Sequence, residues 1–214
     1  MVRTFAAAAA VFASVFLGAA ASSSAETATA IFAGGCFWCV EADFDKVQGV
    51  TSTVSGYTGG ETESPTYGNY SSGGHREAVE ITFDDAQVTY EELLDVFFHS
   101  VDPTDPDGQF CDRGKGYSTA IYVLDDAQQA AAEEAKRAAE EELGREVVTP
   151  ILPASEFWPA EDYHQNYYQS DERIFTRFGL ITKAQAYEGY REGCGRDLRL
   201  QEVWGESALR GIAK

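Results

Sequence analysis

The sequence predicts an α+β fold in which helices pack on a mixed sheet. Alternating and β-branched segments recur between residues 27 and 152, as is typical of strands. Amphipathic segments lie between them, and a capping box at Thr89-Tyr90-Glu91-Glu92 opens one helix. The resulting order, β-α-β-β-α-β-α-β-α, favours a sheet covered by helices.

Each element follows from a local pattern. Predicted strands cover residues 27–33, 50–57, 77–83, 117–124 and 147–152, and predicted helices cover 36–45, a segment from Thr89, 125–143 and 161–170. Gly34-Gly35 ends the first strand, and Gly144 stops the alanine-rich helix. Polar loops at 59–74 and 102–116 are long enough to carry function. Beyond residue 170 the chain is weakly patterned, which predicts an irregular tail.

The first 25 residues have the features of a secretory signal. Arg3 precedes an apolar run over 5–21, and Ser23-Ser24-Ala25 fits a cleavage site. We therefore expect a chain exported to the periplasm or the extracellular space, with no stable membrane insertion after cleavage. The alternative is a membrane anchor, for which the run is short and diluted with alanine.

The chain is strongly acidic, with a formal net charge of −19. Such a field repels nucleic acid and anionic membranes, so we expect neither as a partner. It also keeps the protein soluble, and we expect a monomer.

Four cysteines are present, at 36, 39, 111 and 194. In an oxidising compartment two structural disulfides are the default interpretation. A domain of this size does not need them, however, and Cys36 and Cys39 are too close in sequence to close a useful loop.

Cys36 stands where a glycine-rich turn enters a helix. Unpaired backbone N–H groups and the helix dipole favour a thiolate there, which predicts a lowered pKa and a reactive sulfur. Phe37 and Trp38 would form an aromatic wall beside it. The alternative is a buried packing cysteine.

The pair Cys36-x-x-Cys39 is ambiguous when taken alone. It fits a redox pair, because residues i and i+3 face each other on a helix. It also fits half of a zinc site, and His75-Arg76-Glu77 adds an H-x-E sequence. The order of these motifs is the reverse of that in zinc deaminases, so we expect no metal.

A set of motifs in order makes the chain resemble the peptide methionine sulfoxide reductase A family. The matching blocks are Gly35-Cys36-Phe37-Trp38 with Val40-Glu41, residues 56–60, 65–67, 74–79, 102–104, 112–114 and 117–122, then Phe157, Ala160-Glu161 and 163–165. Each block is weak alone, whereas the ordered set is specific. The resemblance implies a ferredoxin-like two-layer α/β core and reduction of methionine-S-sulfoxide, protein-bound or free.

The resemblance also implies roles for site residues. Cys36 would attack sulfur and become a sulfenic acid, and Glu77 would supply the proton. Without the family, Glu77 could equally be an exposed edge charge. The implied substrate-binding residues are Phe37, Trp38, Tyr67, Asp112 and Tyr117. His164 is expected to hydrogen-bond within the fold and to have no catalytic role.

Cys36 must then be regenerated. Family members place resolving cysteines in a mobile glycine-rich tail, and Gly193-Cys194-Gly195 fits that description. We rank Cys194 first, Cys39 second and Cys111 third as the resolving residue. The expected organisation is a signal peptide at 1–25, a catalytic domain at 26–180 and a tail at 181–214.

The expected reductant is an external thioredoxin-type donor, and no bound cofactor is expected. Two other hypotheses stay open at this point. One is a thiol–disulfide oxidoreductase that uses Cys36 and Cys39. The other is a non-enzymatic, secreted binding domain with two disulfides.

Overall fold

The computed structural model describes Met1 and residues 27–213. The predicted signal peptide therefore lies, except for Met1, outside the described residues. Among the described residues, no helix is both long and apolar enough to cross a membrane.

The helices and strands are numbered here in chain order. They are β1 Thr27–Ala33, α1 Phe37–Phe44, β2 Val50–Thr58, β3 Arg76–Asp84, α2 Tyr90–His99, β4 Gly108–Gln109, β5 Asp112–Arg113, β6 Ala120–Val123, α3 Asp126–Leu143, β7 Ile151–Pro153, β8 Trp158–Pro159, β9 Arg173–Thr176, β10 Gly179–Thr182, α4 Lys183–Cys194 and α5 Arg196–Trp204.

The main sheet has six strands in the order β7-β6-β1-β3-β2-β8. All neighbours are antiparallel except β6 and β7, which are parallel. The sheet is therefore mixed, and the predicted α+β class is confirmed. Two strands lie at its centre: β1, which ends just before the turn to Cys36, and β3, which carries Glu77.

The two faces of the sheet pack differently. On β1, Ala30 and Phe32 lie in the main core with apolar residues of α1, α2 and α3. Ile31 and Ala33 point to the opposite face, where the segment that carries β7 and Phe157 covers them. This alternation is the period of two expected of a strand with both faces buried.

Three predicted elements are shorter or broken in the structure. The strand predicted at 147–152 pairs only from Ile151, directly after Pro150, which has no N–H to donate. The strand predicted at 117–124 begins at Ala120. The helix predicted at 161–170 is two short 3₁₀ turns, because Asn166 takes the left-handed conformation with φ 53°.

The tail expected to be irregular is ordered. The β9–β10 hairpin leads into α4, which a capping box between Thr182 and Gln185 opens. Gly195, with φ 71°, ends α4 and begins α5. Gly195 therefore terminates a helix. The sequence had suggested instead that this glycine makes a C-terminal segment mobile.

Arg196 fixes these C-terminal helices to the centre of the fold. Its guanidinium is 2% exposed and donates to the backbone oxygens of Gly34, at 3.2 Å, and Ser100, at 2.7 Å. These bonds satisfy the two terminal nitrogens of the buried guanidinium, whereas its Nε has no hydrogen-bond partner among the described residues. α5 is therefore anchored to the strand end that precedes Cys36.

Candidate active site

Cys36 is the N-cap residue of α1, at the end of β1. Gly35 makes the turn with φ +87°, and a Cβ atom there would lie 2.6 Å from Cβ of Gln109. Only glycine fits this position, because both the conformation and the space exclude a side chain. The turn leaves the Cys36 side chain half-buried, as predicted for the entry to the helix.

Glu77 lies directly beside this helix terminus. The backbone N–H of Phe37 donates to Glu77 Oε2 at 2.9 Å, and the hydroxyl of Tyr70 donates to Oε1 at 3.1 Å. The Glu77 side chain is 1% exposed, so the alternative of an exposed edge charge does not hold. Burial raises the pKa of Glu77 to about 8, although these two hydrogen bonds oppose the shift.

Tyrosine hydroxyls surround the carboxyl of Glu77. Tyr67 and Tyr117 line the cavity with Glu77. Burial raises the pKa of each further above neutral, so both hydroxyls are proton donors at neutral pH. The Tyr70 ring stacks on Tyr57 at 5.0 Å and meets Tyr117 edge-on at 6.4 Å.

Trp38 is held from two sides. Its Nε1 donates to Nδ1 of His164 at 3.1 Å, and its ring stacks on Tyr167 at 3.8 Å. Burial lowers the pKa of His164 to about 4, so the ring is neutral and can accept this bond. His164 therefore positions Trp38, and the hydrogen bond within the fold that the sequence predicted for His164 is confirmed.

Glu41 attaches the segment that carries His164 to α1. Its carboxylate accepts from the backbone N–H of Asn166 at 3.0 Å and from the hydroxyl of Ser55 at 3.2 Å. The position of the aromatic wall therefore depends on hydrogen bonds that are accepted by Glu41, five residues after Cys36.

Cys36 and Cys39 are free thiols whose ionisations are coupled. Interaction with Cys39 and burial raise the pKa of Cys36, and the charges of Glu77 and Asp112 act in the same direction. The lowered pKa that the sequence predicted for Cys36 is therefore wrong.

The lowered pKa belongs to Cys39. Its interaction with Cys36, with help from the charges of Arg196 and Arg191, brings its pKa to about 7. Two thiols coupled in this way titrate as a pair. The pair loses its first proton near neutral pH, and the two arginines favour Cys39 as the thiolate.

Cys111 and Cys194 form a disulfide across 83 residues, with Cα atoms 5.0 Å apart. Cys194 is the last residue of α4, and the bond joins that helix to the loop between β4 and β5. The disulfide lines the same cavity as Cys36 and Cys39. In this state neither Cys194 nor Cys111 offers a free thiol to Cys36.

One cavity of about 350 Å³ brings the predicted residues together. Its lining includes Cys36, Phe37, Trp38, Cys39, Tyr67, Glu77, Cys111, Asp112, Tyr117 and Cys194. Burial raises the pKa of Asp112, which lies on the side of the disulfide. Phe37 is 1% exposed, so Trp38 and Tyr67 supply the accessible aromatic surface.

The sequence did not reveal Tyr70, Arg196 or Tyr167. Tyr70 follows Tyr67 by three residues within the glycine-rich loop, a spacing that could have suggested a shared face in a turn. Arg196 has no motif around it, and its role depends on tertiary contacts with Gly34 and Ser100.

The model of the family described as peptide methionine sulfoxide reductase matches residues 28–192. The chain belongs to this family. A relative from Rhizobium meliloti (strain 1021), peptide methionine sulfoxide reductase MsrA 2, is 50% identical over 190 residues, which cover 89% of this chain and 90% of the relative. The protein is therefore an oxidoreductase that reduces methionine sulfoxide.

Solved structures agree with this assignment. Mxr1 from Saccharomyces cerevisiae in reduced form is 28% identical, with a TM-score of 0.64 over 67% of this chain and 84% of Mxr1. Mxr1 in complex with Trx2 has a similar fold, at 22% identity and a TM-score of 0.50 over 65% of this chain and 85% of Mxr1. The family match ends at residue 192, two residues before Cys194.

The lowered pKa of Cys39 and the raised pKa of Glu77 predict a narrow pH optimum for the reductase activity. The thiol pair must lose one proton, near pH 7, and Glu77 must keep its proton, up to about pH 8. We expect kcat/KM of the reductase to rise through pH 7 and fall through pH 8. Glu77→Gln should lower kcat about 10²- to 10³-fold and remove the alkaline limb.

Stopped assays with dithiothreitol from pH 5.5 to 9.5 measure this profile. Glu80→Gln, on the same strand, is the matched control and should keep both limbs. An alkaline limb that survives in Glu77→Gln would assign it to another group.

Proposed function

We propose that the protein reduces the S epimer of methionine sulfoxide, both free and in proteins, with Cys36 as the nucleophile and Glu77 as the acid. One observation carries the proposal: the N–H of Phe37, the residue after Cys36, holds the buried carboxyl of Glu77 at 2.9 Å. The nucleophile and a carboxyl that stays protonated at neutral pH are thereby placed at one cavity.

The reaction follows from this placement. As Cys36 attacks the sulfoxide sulfur, its proton passes to the Cys39 thiolate, whose ionisation is coupled to that of Cys36. Glu77 protonates the sulfoxide oxygen. The sulfur–oxygen bond of the substrate breaks and one forms on Cys36, which yields methionine and a Cys36 sulfenic acid.

The other cavity residues bind the substrate. The hydroxyls of Tyr67 and Tyr117, which are protonated at neutral pH, hold the oxygen. Trp38, with the buried Phe37 ring beside it, receives the methyl group, since aromatic edges suit methyl-sulfur groups. Asp112 orients the rest of the substrate from the opposite wall.

We propose that Cys39 resolves the sulfenic acid before Cys194 does. Cys194 ranked first by sequence, but it is joined to Cys111, whereas Cys39 is free and lies in the first turn of the helix that Cys36 caps. Attack of the Cys39 sulfur on the Cys36 sulfenic acid expels water and forms a Cys36–Cys39 disulfide.

A thioredoxin-type dithiol is the proposed reductant of that disulfide. Mxr1, which is similar in fold, was solved in complex with Trx2. The dithiol gives two electrons and two protons, and it leaves as a disulfide. These electrons complete the cycle, so we propose that the protein uses no resident cofactor.

We also propose export, with cleavage after Ala25. The support is the charged start, apolar run and small residues of the first 25 positions. Edman sequencing of the protein recovered from a secreting host should begin at Glu26. An intact N-terminus in the membrane fraction would support an anchor instead.

Separated sulfoxide epimers test the activity. With dithiothreitol, the wild type should reduce N-acetyl-methionine-S-sulfoxide at least about 100-fold faster than the R epimer, since one epimer presents its oxygen to Glu77. Cys36→Ser should have no turnover. Equal rates on both epimers, or activity without Cys36, would contradict the proposal.

Single-turnover chemistry tests the resolving residue. Without reductant, Cys39→Ser should release one methionine per molecule and retain a sulfenic acid that dimedone labels. Its steady-state rate with thioredoxin should fall at least about tenfold. Peptide mapping of the wild type should find Cys36 joined to Cys39.

The rival variant is Cys194→Ser, which keeps the Cys36–Cys39 pair. If this variant retained the sulfenic acid while Cys39→Ser cycled normally, the resolving role would return to Cys194.

A further inference from the structure

The tip of the β9–β10 hairpin reaches the wall of the active-site cavity. Arg177 and Phe178 form this tip, between Thr176 and Gly179, and Arg177 lines the cavity. The inner residues of the hairpin, Ile174 and Ile181, pack in the cluster that includes Cys36 and Trp38. The hairpin is therefore part of the site, although the sequence placed no functional residue there.

Aromatic rings hold the guanidinium of Arg177. It lies 4.8 Å from the ring centre of Phe178 and 5.0 Å from that of Tyr190. Tyr190 in turn stacks against Trp38, with ring centres 6.2 Å apart. Stacking on two rings limits the conformations of a long side chain, which reduces the entropy lost on binding a ligand.

Space on the far side of the guanidinium is also restricted. A Cβ atom built on Gly193 would lie 3.3 Å from Nη2 of Arg177. The head group therefore lies over the last turn of α4, next to Cys194, at the mouth of the cavity. A larger residue at position 193 would force it to move.

Arg177 differs from the other two arginines of the cavity wall. Arg191 pairs with Asp43 at 2.9 Å and Asp197 at 2.7 Å. Arg196 is buried and bonds backbone oxygens. Within residues 27–213, Arg177 makes no side-chain hydrogen bond or ion pair, so its donors remain available to a ligand at the cavity.

The charge of the whole protein makes this cation significant. A net charge of −19 repels an anionic substrate, and Asp112 adds a further carboxyl to the wall. A substrate that carries a carboxylate close to its sulfoxide needs a local cation to offset this repulsion. The planar fork of an arginine matches the two oxygens of a carboxylate.

We propose that Arg177 is a specificity-determining residue, which binds a substrate carboxylate at the cavity mouth while the sulfoxide lies at Cys36. The carboxylate comes either from free methionine sulfoxide or from an acidic residue next to an oxidised methionine in a protein. The inference rests on the proposed function and adds to it a preferred class of substrate.

Matched substrates test the proposal with dithiothreitol as the reductant, so that docking of the protein donor does not enter. N-acetyl-methionine-S-sulfoxide carries the carboxylate, and its N-methylamide does not. Arg177→Ala should raise KM for the first about fivefold, the effect of a partly exposed charge pair, and change kcat and the amide KM less than about twofold.

Two further variants and a salt series sharpen the result. Arg177→Lys keeps the charge but lacks the planar pair of donors. Its preference in KM for the acid over the amide should therefore be about half that of the wild type on a logarithmic scale. Arg173→Ala removes an exposed arginine from the same hairpin, whose Nη2 bonds the oxygen of Leu180, and should behave as the wild type. High salt should shrink the wild-type preference.

Peptides distinguish the source of the carboxylate. The peptide N-acetyl-Met(O)-Asp-amide and its Asn counterpart should differ in KM for the wild type, and not for Arg177→Ala, if acidic protein segments are bound. If only N-acetyl-methionine sulfoxide responds, the group bound is that of the free amino acid.

Equal changes in KM for acid and amide would overturn the proposal, because Arg177 would then act only through packing. No change for any substrate would overturn it as well. If the wild type reduced neither the acid nor the amide, the proposed function would fail, independently of Arg177.

Discussion

The hydrogen bond from the N–H of Phe37 to Glu77 Oε2 is the contact on which the site depends. It joins the first turn of α1 to β3, two elements that are distant in sequence. A carboxyl at a helix N-terminus is ordinarily a stabilised anion. Here burial has the larger effect, and the pKa of Glu77 is raised to about 8. The same bond thus places the acid and leaves its proton available for transfer.

A group of buried charges near Cys39 also determines the electrostatics of the site. Asp43, which is 2% exposed, pairs with Arg191 at 2.9 Å and lies 3.8 Å from Nε of Arg196. These arginines favour a thiolate on Cys39, the inner member of the pair. Within the thiol pair, the negative charge is therefore favoured on Cys39, while Cys36 lies at the cavity. Because α5 supplies Arg196, the C-terminal helices contribute to the electrostatic environment of the thiols.

Much of the fold could be predicted from local patterns. β1 and the turn at Gly35 follow from residue spacing and from the conformational freedom of glycine. The capping box at Thr89 and the stop at Gly144 gave helix boundaries that the structure reproduces to within one residue. The C-terminal helices were missed because their apolar pattern is weak, although Thr182 and Gln185 form a capping box of the same kind.

The electrostatics of the site could not be predicted in this way. The position of Cys36 at a helix terminus suggested a lowered pKa, but the sequence cannot show that its ionisation is coupled to that of Cys39 or that the charges of Glu77 and Asp112 act on it. The pairing of Cys111 with Cys194 depends on how α4 packs against the loop between β4 and β5. Tertiary contacts decide these properties, and a motif gives only the residues that take part.

The central claim is that Glu77 holds a proton at neutral pH beside Cys36. Infrared difference spectra of the wild type minus Glu77→Gln in D2O measure it directly, through the carbonyl stretch of a protonated carboxyl. The account predicts a band that is present at pH 6 and disappears with a midpoint near pH 8. A band lost near pH 4.5, or no band at pH 6, would contradict it.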